Sequence, residues 1–242
     1  MEHNGGMEEQ ARGPYQKLSR QEASDAVTSL GWRLVLGELR TEVLTGSLPL
    51  AADVAAQAAT VPGAQGHLRL DVRADRAILS LQTAAAGWVT ARDVELARNI
   101  STVVGEMKLE TVSGVGGDGG TGRSVQVIEI GIDALDAGAI RPFWRAVLGY
   151  ADEPGRTGAS NALIDPLGQG PAVWFQRMDA PRPQRNRIHF DVSVPHDEAA
   201  SRIGAALAAG GRMVNDAQAP AFWVLADAEG NEACVTTWQG RD

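Results

Sequence analysis

Chemistry in this 242-residue chain must come from a short inventory: four histidines (His3, His67, His189, His196), one cysteine (Cys234), six tryptophans and 30 carboxylates. Imidazole is the group best poised to move protons near neutral pH, and with carboxylates or a thiolate it also ligates metals. His3 lies in a polar stretch, and His196 follows Pro195 at a predicted helix start, facing solvent. The informative histidines are therefore His67 and His189. Asp93 stands three residues after Thr90, the spacing of a helix capping box, so it has a purely local explanation. His67 reads locally as a residue at the start of a strand. His189 reads as a sheet histidine bonded to a neighbour, and Cys234 as a small buried hydrophobe. Most of the aromatic side chains fall late, Trp144, Trp174, Phe175, Phe222, Trp223 and Trp238 among them. Strand alternation puts Trp174 and Gln176 on one face and Phe175 on the other.

The elements that must position these groups divide into two sets. Residues Gly114–Gly122 read GVGGDGGTG, six glycines in nine positions, which predicts a flexible linker. Charge splits evenly, with 11 basic and 15 acidic residues in 1–122 and the same in 123–242. We expect a disordered tail over 1–14, a first domain over 15–113, the linker over 114–122 and a second domain over 123–242. In the first, periodicity predicts a helix over Gln21–Leu30, strands over Trp32–Leu36 and Glu38–Leu44, and an alanine-rich helix over Leu50–Val61. A hairpin follows (Leu68–Val72, Ile78–Leu81), then a helix entered through Thr90. The class is α+β: an antiparallel sheet with three helices on one face. The second set repeats itself. A strand (Val125–Ala134, then Arg187–Val194) leads to a helix (Asp136–Leu148, then Asp197–Ala209) and three short strands. Similar turns close the copies, Asp165-Pro166-Leu167-Gly168 and Asp227-Ala228-Glu229-Gly230-Asn231. Paired βαβββ modules of this kind form a half-open barrel whose cleft is the natural ligand site.

Composition excludes several classes. The net charge of −8 argues against nucleic-acid partners and anionic membrane surfaces. One cysteine cannot form an intramolecular disulfide, which fits a reducing cytoplasm. The opening MEHNGGMEEQARGP carries no apolar segment of a secretory signal, and no apolar run approaches the ~20 residues of a membrane span. Of the 22 basic residues only Lys17 and Lys108 are lysines, a coding bias rather than a functional signal.

Three segments of the second half, FWRAVLGY (Phe143–Tyr150), RIHFDVSV (Arg187–Val194) and FWVLADAEGNEACV (Phe222–Val235), resemble the vicinal oxygen chelate superfamily, in particular its glyoxalase-like and bleomycin-resistance-like members. The resemblance implies a cleft that takes a small molecule and, in metal-binding members, one divalent-metal ligand from each of four strands. Those positions fall on Glu129, Gln176, His189 and Cys234. Glu, His and a carboxamide could hold a divalent ion, whereas a thiol at the fourth position departs from the usual carboxylate. Trp174 and Trp223, with Arg187, are the expected ligand-binding residues, the indoles stacking on a planar ligand.

In the first half, Gly31-Trp32, the hairpin His67–Thr83 and GWVTARDVELARNI (Gly87–Ile100) resemble pterin-4a-carbinolamine dehydratase. That family uses a histidine pair usually followed by proline, a third histidine and an aspartate for general acid–base dehydration of a 4a-hydroxytetrahydropterin. Here the pair falls on Gly66 and His67, the proline on Leu68, the third histidine on Ala84, the aromatic near the hairpin turn on Ala74 and the aspartate on Asp93. Two of three imidazoles are missing. The resemblances together imply a cytoplasmic, bacterial two-domain fusion, with catalytic candidates His67, Asp93 and His189. Its function is expected to be lyase or isomerase chemistry, or small-molecule binding, in the second-domain cleft. Alternatives are a protein that sequesters a planar ligand and a weak 4a-hydroxytetrahydrobiopterin dehydratase. The ligand is a small molecule, planar or pterin-like, and both resemblances imply a homo-oligomer, with a dimer expected.

Overall fold

The computed structural model describes residues 14–113, 125–154, 158, 161–181, 189–194, 196–237 and 239–240. The chain divides into two compact units, Met1–Val127 and Ile128–Asp242. The glycine run Gly114–Gly122, the tail before Pro14, Arg187 and Trp238 lie outside the described residues.

The first unit runs α1 (Arg20–Thr28), β1 (Arg33–Val35), β2 (Glu38–Leu44), α2 (Leu48–Thr60), β3 (Leu68–Val72), β4 (Arg76–Leu81) and α3 (Ala91–Glu106). Helix α1 starts in a complete capping box: Ser19 Oγ accepts from Glu22 N at 3.2 Å, and the Glu22 carboxylate takes the Ser19 N–H at 2.9 Å. Gly31, at φ +77°, turns the chain into β1, and a Cβ there would stand 1.8 Å from Thr111 O. Only glycine meets both demands. The strands form an antiparallel sheet in the order β1-β2-β4-β3. Alternation buries Leu39 and Val43 of β2 and Ala77, Leu79 and Leu81 of β4 in one core. Val27 of α1, Val54 and Ala58 of α2, and Leu96, Ile100 and Val104 of α3 meet them there. This is the expected layer of three helices on a single sheet face.

The second unit runs β5 (Glu129–Ala134), α4 (Ala137–Leu148), β6 (Ala151–Asp152), β7 (Leu163–Ile164) and β8 (Ala172–Arg177). It then repeats as β9 (Phe190–Ser193), α5 (Ala199–Ala208), β10 (Arg212–Asn215), β11 (Phe222–Ala226) and β12 (Glu232–Thr236). The sheet orders are β5-β8-β7-β6 and β10-β11-β12-β9, the same pattern read from opposite ends. In each copy the first strand pairs in parallel with the last, and the last three strands form an antiparallel meander. The repeat visible in the sequence is therefore a repeat of topology. Among the described residues neither sheet closes into a barrel.

Both copies contribute to one core. Ile132, Phe143, Trp144, Val173 and Phe175 from the first meet Ala206, Leu225, Ala233 and Val235 from the second. Helix α4 is well specified at both ends, with Asp136 Oδ1 accepting from Gly138 N (2.9 Å) and Ala139 N (3.3 Å), and Gly149 closing it at φ +70°. The two sequence-similar turns prove to be built alike. Asp165 accepts the backbone N–H groups of Leu167, Gln169 and Gly170, and Asp227 those of Glu229 and Asn231. Among the described residues no helix is long and apolar enough to cross a membrane.

Candidate functional site

In the first unit, Gly66 (φ +80°) turns the chain so that His67 enters just ahead of β3, and Ala84 N donates to Gly66 O at 3.0 Å. Helix α3 presents Asp93 from its first turn. His67 Nδ1 lies 2.7 Å from Asp93 Oδ1, with the imidazole side chain 7% exposed and the carboxylate wholly buried. The other oxygen, Oδ2, accepts the Thr90 backbone N–H at 2.7 Å and the Thr83 hydroxyl at 2.8 Å, with Thr90 Oγ1 at 3.1 Å. Asp93 therefore serves two partners at once. Oδ2 reaches back to the helix cap, and Oδ1 holds His67.

A carboxylate only accepts, so Nδ1 carries the proton and Nε2 is left as the basic nitrogen of the neutral ring. Tyr15 lies against the same ring, centroids 6.3 Å apart and planes 25° from parallel. Thr83 and Tyr15 were not anticipated. Thr83 lies two residues past β4 with no distinguishing pattern, and Tyr15 is the first residue after the expected polar tail.

The second unit gathers its candidates differently. Alternation turns Glu129, Gly131 and Asp133 of β5, and Trp174 and Gln176 of β8, away from the face that buries Ile132, Val173 and Phe175. The parallel register sets Glu129 opposite Ala172 and Asp133 opposite Gln176. Glu129 and Gln176 thus stand four residues apart, about 13 Å along the strands, too far to share an ion. Trp174, 37% exposed, lies over Gly131, where an added Cβ would come within 3.1 Å of its indole. Trp223 goes elsewhere. It lies on the Leu225 and Val235 side of its sheet and packs against the core, so it does not share Trp174's position on an open face.

His189 is brought to a different set of partners. Asp191, paired in register with Cys234, joins them in a group whose ligand atoms all lie within 4.8 Å of one another, and His189 Nε2 is 3.5 Å from Asp191 Oδ1. His189 and Asp191 are exposed, and Cys234 is buried. Asp191 was missed although the signal was there: two residues after His189 on a strand is the same face. Arg187 lies outside the described residues.

Residues 16–103 match the family described as Pterin 4 alpha carbinolamine dehydratase, and residues 129–236 match the Glyoxalase-like domain. The chain joins a pterin dehydratase-like domain to a glyoxalase-like domain. Solved structures similar to parts of the chain include the following. A glyoxalase/bleomycin resistance protein/dioxygenase family enzyme from Burkholderia phytofirmans is 15% identical over 45% of this chain and 95% of its own, with a TM-score of 0.38. A transcriptional coactivator/pterin dehydratase from Brucella melitensis is 23% identical over 36% of this chain and 98% of its own, at 0.33. The fosfomycin resistance protein FosX of Listeria monocytogenes, in a complex with Mn(II) and a dihydroxypropylphosphonic acid, is 12% identical over 47% of this chain and 90% of its own, at 0.36. No curated protein matches the chain.

Within the dehydratase-like domain, Ala84 is exposed beside the Gly66–His67 turn, where the resemblance would place a third histidine, and His67 is the imidazole that remains. Within the glyoxalase-like domain the donor chemistry decides which metal the face suits. Imidazole, carboxylate and thiolate together fit a borderline ion such as zinc, not magnesium or calcium. Tetrahedral ligands about 2.0–2.3 Å from one zinc lie about 3.3–3.8 Å apart. Held within 4.8 Å, the three groups need only a small approach to reach that geometry.

Proposed function

We propose that the dehydratase-like domain binds a flat pterin-like heterocycle and uses the His67–Asp93 pair for general acid–base dehydration of a 4a-hydroxytetrahydropterin. The observation that carries this reading is the 2.7 Å contact between His67 Nδ1 and the wholly buried Asp93. It fixes the tautomer and the orientation of the ring. Dehydration breaks the C4a–O bond, releases the hydroxyl as water, removes the N5 proton and forms the C4a–N5 double bond, without redox change. One imidazole can serve both halves: Nε2 of the neutral ring takes the N5 proton and passes it to the departing hydroxyl, which leaves as water and returns the ring to its neutral form. With a single imidazole the rate falls below that of a three-histidine site, by about 10²–10⁴ for each missing partner.

The test is turnover of a 4a-hydroxytetrahydropterin by the full chain, together with titration of biopterin. His67→Ala is expected to remove at least about 100-fold of the catalysed rate. Unchanged turnover and unchanged pterin affinity in that variant would make the domain structural.

A second reading is supported by the His189, Asp191 and Cys234 group. The glyoxalase-like domain takes a borderline divalent ion at this edge and a small molecule on the face that carries Trp174. When bound, the ion supplies Lewis-acid polarisation. The protein's own contribution is to present the His189, Asp191 and Cys234 donors to the ion and the Trp174 indole to a flat ligand.

A further inference from the structure

The segment ahead of α1 is tied down residue by residue. Leu18 N donates to Val89 O (3.3 Å), Ala91 N to Gln16 O (3.2 Å) and Arg92 N to Pro14 O (2.8 Å), and Trp88 Nε1 donates to Leu18 O (3.0 Å). Lys17 Nζ lies 4.1 Å, and the Arg20 guanidinium 5.1 Å, from the centre of the Trp88 ring. Ala91 and Arg92 open α3, so two of the N–H groups that a helix start leaves unpaired are satisfied by this segment. The same helix turn presents Asp93. The strap and the His67–Asp93 pair are thus built on one piece of backbone.

Tyr15 sits between the two anchored carbonyls of Pro14 and Gln16. Its backbone is held, yet the residue is 69% exposed, an unusual state for a tyrosine ring lying nearly parallel to another ring. The 6.3 Å centroid distance is at the long end of the range for paired rings. A flat ring placed between two others at van der Waals contact needs about 7 Å, twice the usual carbon–carbon separation. The phenol ring, largely in solvent, can move outward to open that slot. On its far side stands His67, with Nε2 unbonded among the described residues.

We propose that Tyr15 and His67 are the two walls of a slot for a flat nitrogen heterocycle, with the Pro14–Ser19 strap acting as the clamp that carries the outer wall. The proposal rests on the pterin-binding reading of the dehydratase-like domain and adds to it the residue that determines flat-ligand affinity. Tyr15 is a binding residue: it touches the ligand and moves no proton. A phenyl ring would serve equally, because stacking uses the ring face rather than the hydroxyl.

The experiment is a biopterin titration of the full chain and of Tyr15→Ala, Tyr15→Phe and His67→Ala, with thermal melts of each. Tyr15→Ala is expected to weaken biopterin binding by about five- to tenfold, and Tyr15→Phe to match the wild type within about twofold. The melting temperature of Tyr15→Ala should stay close to the wild-type value, since the ring is mostly in solvent. A Tyr15→Ala chain that binds biopterin as well as the wild type, while His67→Ala binds it poorly, overturns the clamp and leaves the pterin reading intact. Tighter binding by Tyr15→Ala overturns it too, since the ring would then be covering the site. Absence of biopterin binding by the wild-type chain overturns both together.

Discussion

Trp144 and Asp227, one from each βαβββ copy, meet in a 3.0 Å hydrogen bond in which the indole N–H donates to a wholly buried carboxylate. Asp227 also accepts from the backbone of Glu229 and Asn231 at 2.9 Å each and from Asn231 Nδ2 at 2.8 Å. One side chain thus closes the second copy's turn and fastens it to the first copy's helix.

Removing it should be costly. Asp227→Ala orphans several donors, the buried indole N–H among them, and is expected to lower stability by about 3–5 kcal/mol, read from the urea unfolding midpoint. Glu229→Ala removes the half-buried acceptor of the Leu135 and Asp136 N–H groups, at 2.8 and 2.7 Å, and should cost about 1 kcal/mol. Equal losses in the two variants would contradict this ranking.

Asp93 and His67 separate in the same way. Asp93→Ala strips the back-reaching half of the α3 cap, the Thr83 hydroxyl and the His67 ring of their acceptor, and is expected to cost about 2–4 kcal/mol. His67→Ala leaves the Oδ2 bonds in place and should cost less. Urea denaturation of the two variants side by side checks the order.

The topology was legible because periodicity and repetition are properties of the chain itself. The turn pair at Asp165 and Asp227, the capping box at Thr90 and the α+β pattern all rest on neighbours within a few residues. Register is different. That Glu129 faces Ala172 and not Gln176, or that Trp223 shares a side with Leu225 and Val235, is decided by how strands slide past one another. A shift of one residue exchanges the faces, and nothing local fixes it. Tyr15 shows a third case. Its contact with His67 joins residues 52 positions apart through an unpatterned segment, so no spacing could announce it.

Acid should act on the other turn. Burial pushes the Asp165 pKa up, but the N–H groups of Leu167, Gly170 and Gln169 together outweigh it and hold the pKa below the ordinary aspartate value. A folded-state pKa below the unfolded one means stabilisation that is present above about pH 4 and lost as pH falls through the folded value. The stability difference between wild type and Asp165→Ala should therefore be larger at neutral pH than near pH 3. A difference independent of pH would remove the carboxylate from the explanation.

The metal reading has a spectroscopic signature. Cobalt titrated into the full chain should develop a thiolate-to-cobalt charge-transfer band, and Cys234→Ser should abolish it. Binding should also release protons, because thiol and imidazole coordinate in their deprotonated forms. Cobalt binding that is unchanged in both Cys234→Ser and His189→Ala would place the ion elsewhere.

The division of labour between the two oxygens of Asp93 has a consequence for how descendants of this chain drift. A lineage that abandons proton transfer still needs Oδ2 to start α3, so selection for folding alone preserves the aspartate. His67 has no comparable second duty, and its ring is free to be lost once turnover stops mattering. The histidine, rather than the aspartate, is the fossil that dates when such a domain last did chemistry.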